Sequence, residues 1–147
     1  MANTEAIDDV LTSVLAARWK AASEKFCNLA KAIPDGKLES ELVSGTRTCG
    51  GVLRHVAYWN RYVADSLNGR PADDTANELP PDVYPDKASI LAELEKSSLE
   101  IANGLRRNFD ARDLELISMA FEHLSEHYGQ LVVYARLLGV TPPASRP

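Results

Sequence analysis

The residues of this 147-residue chain whose type and spacing could do chemistry are its three histidines, His55, His123 and His127. His123 and His127 stand four apart, so on a helix turning about 100° per residue they share one face, about 40° apart. An H-x-x-x-H pair reaches a common point from successive turns. Its imidazole nitrogens suit zinc and similar ions at roughly 2.0–2.1 Å. Two nitrogens hold an ion weakly, so a third ligand from a facing helix is expected, and His55 is the only other histidine. The competing reading is that each ring is a partly buried side chain bonded to a neighbour. For two adjacent rings that reading demands a polar partner each.

Four stretches with helical periodicity must position these residues. The first runs from about Glu5 to Ile33, with Ile7, Leu11, Val14, Leu15, Ala22, Phe26, Leu29 and Ile33 on one stripe, and Pro34-Asp35-Gly36 ends it. The second starts near Thr46 or Thr48, either of which could cap it, and runs to about Leu67 before Asn68-Gly69-Arg70-Pro71. Residues 70–85 carry four prolines and no periodicity and read as a long loop. The third opens with Asp86 as N-cap and continues to about Arg107, with Ile90, Leu94, Ile101, Leu105 and, more loosely, Leu99 as its apolar side. The fourth spans about Asp113 to Leu138, closed by Gly139 and Pro142-Pro143.

On this frame His123 and His127 look inward with Leu116, Ala120, Leu131, Tyr134 and Leu138. Val52, Val56, Trp59, Val63 and Leu67 define the inward stripe of the second helix, and His55 falls at its margin, one turn before Trp59. Strand signals are weak, so the pattern predicts an all-α, four-helix bundle spanning residues 1–147 as a single domain.

Composition narrows the function classes. Hydrophobic residues make up 45% and charged residues 25%, as in folded globular proteins, and a net charge of −5 offers no basic field for nucleic acid. No apolar run approaches the roughly 20 residues that span a bilayer, and the acidic start lacks the features of a signal peptide. A cytoplasmic location, with no membrane partner, is therefore expected. Cys27 and Cys49 form no paired motif and are expected to be free thiols.

Two segments carry a family resemblance. Thr48–Asn60 (TCGGVLRHVAYWN) resembles the second-helix motif of DinB-like proteins, and Glu122–Gln130 (EHLSEHYGQ), with Tyr134 and Gly139-Val140-Thr141-Pro142-Pro143, resembles their last helix and tail. The resemblance implies an up-down-down-up bundle of the DinB/YfiT-like kind, often a homodimer. It also implies that His55, His123 and His127 together hold a divalent zinc, nickel or similar ion. Relatives include presumed metal-dependent hydrolases, and transferases or isomerases that use low-molecular-weight thiols.

Three neutral ligands would leave an ion with positive charge and an open position, as in catalytic rather than sealed sites. Such an ion could activate a water or a thiol toward a small-molecule substrate. Glu122 and Glu126 fall off the histidine face and supply no evident base. Trp59, Asn60, Tyr62 and Tyr134 are candidate cavity residues, though Trp59 and Tyr134 also read as core. Gln130 is a candidate to bond a ligand, cap a loop or support packing. Two readings stay open: a metal-dependent enzyme, and a non-catalytic metal-containing or stress-response bundle that binds a ligand or partner.

Overall fold

The computed structural model describes the backbone of residues 4–105 and 109–147, with side chains from residue 9 onward. Among the described residues there are four α-helices and no strand: α1 (Thr4–Ala32), α2 (Cys49–Leu67), α3 (Lys87–Gly104) and α4 (Ala111–Leu137). Short 3-10 turns follow α1 and α4 at Asp35–Lys37 and Pro143–Ser145.

Local chemistry explains the boundaries. Thr48, not Thr46, caps α2, its hydroxyl accepting the Gly51 N–H at 3.0 Å. Asp86 and Ser89 form a reciprocal capping box at the start of α3. Asp110 and Asp113 form another, so α4 begins at Ala111 with Asp113 inside its first turn rather than at its edge. Gly50 lies in the first turn of α2 because the preceding connection packs against it. Its N–H donates to the Leu38 carbonyl at 2.8 Å, and a Cβ there would collide with the Glu39 carboxylate. The expected end of the third helix near Arg107, and the side chain of Ile7, lie outside the described residues.

Side-chain pairs fix the direction of every helix. Trp19 meets Ser98 while Lys87 meets Ile33, so α1 and α3 are antiparallel. Arg61 meets Glu93 and Asn68 meets Glu100, so α2 and α3 run parallel. His55 meets His127 and Trp59 meets His123, so α2 and α4 are antiparallel. Trp19 meets Phe121 and Lys25 meets Tyr128, so α1 and α4 run parallel. The result is an up-down-down-up bundle in which α1 and α2 each pack against both α3 and α4.

Two parallel consecutive helices need a connection that travels back along the bundle. Residues 68–86 are that crossover, returning over the roughly 28 Å length of the 19-residue α2. The prolines that forbid helix there also suit an extended path.

The core is formed by Trp19, Phe26, Leu29, Leu53, Ile101, Ile117 and other fully buried side chains. Three expected core positions are instead exposed: Leu11, Val14 and, at 63% exposure, Leu99. With Trp19 opposite Ser98 and α3 ending at Gly104, the first turns of α1 run past the end of their partner. Cys27 and Cys49 are free and buried, and burial pushes both thiols up to about 11. No helix among the described residues is long and apolar enough to cross a membrane.

Candidate metal centre

His55, on α2, and His123 and His127, one turn apart on α4, converge between the two helices, with ring centroids 4.6–4.8 Å apart. Their ligand atoms all lie within 4.8 Å of one another, a grouping that can hold a metal ion. His55 is 8% exposed and so is not marginal, as the stripe of α2 suggests. The first half of α2 is buried almost all round, from Cys49 to Tyr58, because the connections on both sides of the helix lie over it.

Hydrogen bonds decide which nitrogen each ring offers. His55 Nδ1 lies 2.6 Å from the Asn77 carbonyl, which can only accept, so Nδ1 carries the proton and Nε2 keeps its lone pair. His127 is fixed by a longer chain that ends on a backbone carbonyl. Thr46 Oγ1 donates to the Val43 carbonyl at 2.8 Å, Tyr134 Oη donates to Thr46 at 2.8 Å, and Gln130 Nε2 donates to Tyr134 at 3.0 Å. Gln130 therefore turns its carbonyl oxygen to His127, 2.9 Å from Nδ1, and again Nε2 is left free. His123 Nε2 sits 2.9 Å from His55 Nε2. Since His55 accepts there, His123 donates when nothing lies between them.

The electrostatics favour the neutral form of His123 and His55. Burial first, then the neighbouring His127 and His55, hold His123 down to about 3. Burial also lowers His55, against the opposing pull of its bond to Asn77. Neutral imidazoles with aimed lone pairs are the form in which histidine binds metal. The donor set thus fits a divalent ion, and the Asn77 carbonyl and Gln130 are the partners that commonly orient metal-bound histidines.

The crossover loop forms the lid over this cluster. Asn77 adopts a positive φ of 62°, a conformation that asparagine tolerates better than most residues. In that pose its carbonyl takes His55, and its side-chain oxygen accepts the Trp59 Nε1–H at 2.9 Å. The Ala76 N–H donates to Tyr58 Oη at 3.1 Å. Arg54, almost fully buried beside His55, bonds Glu39 at 2.7 Å and Glu78 at 3.2 Å, clasping both connections onto α2. Neither Asn77 nor Arg54 stands out in the sequence. The one signal is an asparagine in a loop, and that is too common to point anywhere.

Of the other candidates, Trp59 and Asn60 line a small cavity beside His123, and Tyr62 packs on Trp59 with centroids 5.4 Å apart. Tyr134 is core and relay at once. Glu122 and Glu126 are exposed, as their helical phase predicts.

The family model of the DinB superfamily matches residues 18–131, a span that takes in all three histidines. No curated protein matches the sequence.

Proposed function

The chain belongs to the DinB superfamily, and from that premise we propose that it is a metal-dependent enzyme in which His55, His123 and His127 hold one divalent ion, zinc or nickel. The observation that carries this reading is the locked Nδ1–H of His55 and His127, which leaves two Nε2 lone pairs directed into one small volume beside His123. Rings that merely packed would also need polar partners; what favours a metal is that both partners engage Nδ1 and leave Nε2 free within reach of the third ring. The residues divide the work accordingly: Asn77 and Gln130 orient the ligands, and Trp59 shields the cluster from one side. A divalent ion held by three neutral nitrogens supplies a Lewis acid that lowers the pKa of a water or a low-molecular-weight thiol. The substrate is then a small molecule, and the reaction a thiol-dependent transfer or isomerisation, or a hydrolysis.

The non-catalytic reading, a metal-containing bundle that binds a ligand, draws support from one observation. The nearest carboxylates on α4, Glu122 and Glu126, are both exposed, and no carboxylate lines the cavity beside His123. Metal analysis of tag-free protein tests the shared premise. About one ion per chain is expected, with loss in His127→Ala; absence of metal, or an unchanged content in the variant, overturns the site. Turnover screened against thiol–electrophile pairs then separates enzyme from binder.

A homodimer is proposed as well, across the α1–α3 face. A groove of about 1040 Å³ runs there, floored by small residues such as Ser13, Ala16, Ala17 and Ala102, with Leu99 exposed on its rim. Ser23 lines it, and its buried hydroxyl has no partner among the described residues. Two-fold pairing is the commonest way to cover such a face. Light scattering at micromolar concentration is expected to give twice the chain mass, and the chain mass for Ala17→Arg; a monomeric wild type overturns the pairing.

A further inference from the structure

The cavity beside His123 has a chemistry of its own. It measures about 160 Å³ and is lined by Trp59, Asn60 and Val63 of α2 and by Met119, Ala120 and His123 of α4. Ala120 contributes only a single methyl to the α4 side of its lining. An apolar cavity of about 150 Å³ is known to accept a benzene-sized molecule. No charged side chain lines this one, so a charged group entering it would lose its water without gaining a counter-ion.

Asn60 is the exception to the apolar lining. It is 2% exposed, and its carboxamide is hydrogen-bonded to no other described residue, yet it is not sealed from solvent, since Ser23 Oγ alone is fully buried without a partner among the described residues. This amide borders the cavity, where it offers both a donor and an acceptor. Trp59, the neighbouring α2 residue in the lining, is held in place, since it bonds Asn77 and packs on Tyr58 and Tyr62.

We propose that this cavity is the substrate subsite of the histidine cluster, taking a compact uncharged group of about six-membered-ring size whose hydroxyl or carbonyl bonds the Asn60 carboxamide. The proposal rests on the reading of the cluster as a metal centre only for the word substrate; the binding preference stands on the cavity itself. The molecule that fits has a metal-binding head within a few atoms of a neutral ring or branched alkyl group. Anionic substituents are excluded at this end.

The test uses benzyl alcohol and benzoate as probes, the same ring with a neutral hydroxyl or a charge. They are titrated against the full chain as purified and again after chelator treatment. The methyl resonances of Ala120 and Met119 and the side-chain amide of Asn60 report binding. Benzyl alcohol is expected to shift these three saturably, with a Kd on the order of 1 mM, while benzoate leaves them in place. Ala120→Leu, which fills the cavity, abolishes the shifts, and Asn60→Ala weakens binding roughly fivefold. Equal binding of benzoate, or no saturable shift with benzyl alcohol, overturns the subsite. The wild-type comparison decides the matter even if a variant fails to fold. Because the carboxylate of benzoate can itself ligate a metal beside His123, the comparison of the two probes is decided in the chelator-treated protein; its failure there is distinct from failure of the metal reading, which metal content alone decides.

Discussion

Along the α2–α4 seam the side chains are polar and tied: His55 to Asn77, His127 to Gln130, and Gln130 through Tyr134 and Thr46 to the backbone. Along the α1–α3 seam the polar ties are few and lie toward the surface: Trp19 Nε1 donates to the Ser98 carbonyl at 3.1 Å, Lys87 donates to the Ile33 carbonyl at 2.7 Å, Lys31 and Glu95 form an exposed pair, and small residues line an open groove. Both seams join long helices of one bundle, yet they use burial for different ends. The first takes polar groups out of water and repays each with a directed bond, which fixes ring orientation. The second leaves surface uncovered and is held by apolar burial, with Trp19 its largest side chain. Orientation is what a ligand set needs, and spare area is what association needs.

Four variants would break or sharpen this contrast. The largest effect is expected for Trp19→Ala, because Trp19 is fully buried and touches both Ser98 and Phe121. Denaturant unfolding should show a loss of about 3–5 kcal/mol; a loss below about 1 kcal/mol would mean that the α1–α3 side is held by something else. Next comes Gln130→Leu, which removes the acceptor for His127 Nδ1 while keeping an apolar body of similar size. Metal affinity by chelator competition should fall roughly 10- to 100-fold with the fold intact. Ala17→Arg should leave that affinity unchanged, and if both variants weakened metal alike the seams would not be separable. The smallest effect concerns acid. The bonds from Arg54 hold the Glu39 carboxyl below its ordinary 4.5 in the folded chain, so its contribution is present above that pH and is lost as the pH falls through the lowered value. Glu39 is half exposed, so solvent screening keeps this contribution under about 1 kcal/mol. Stability of Glu39→Gln should therefore fall less than that of wild type below pH 4.5, and parallel acid curves would remove Arg54 and Glu39 from the clasp.

Much of the bundle is legible in the sequence because its punctuation is strong. Pro34, Asp86 and Gly139 stop or start helices for reasons that act within a few residues. The His123–His127 pair is legible too, since a four-residue spacing settles their shared face. What the periodicity misreads is whatever depends on distant chain. His55 looks marginal beside Val52 and Val56, yet the crossover loop buries the side of α2 on which it lies. Leu11 follows the spacing of core residues, but helical phase does not report where a partner helix ends, and Leu99 stands on the rim of the open α1–α3 groove. The partner of His127 was within reach, as Gln130 is one turn on, whereas Asn77 was not, because its role depends on a loop conformation that local sequence leaves open.

The parallel course of α2 and α3 also bears on how the protein is made. His55 and His123 are 68 residues apart in sequence, and the chain between them must lay down the crossover and α3 before the two rings can meet. Contacts of such long range close late in folding and slow it. A nascent chain emerging from the ribosome presents His55 alone until α4 follows, and one imidazole grips no metal firmly. Loading of an ion on the proposed site would thereby be deferred until the last helix has docked, and a truncated or misassembled chain would be left without the means to sequester one.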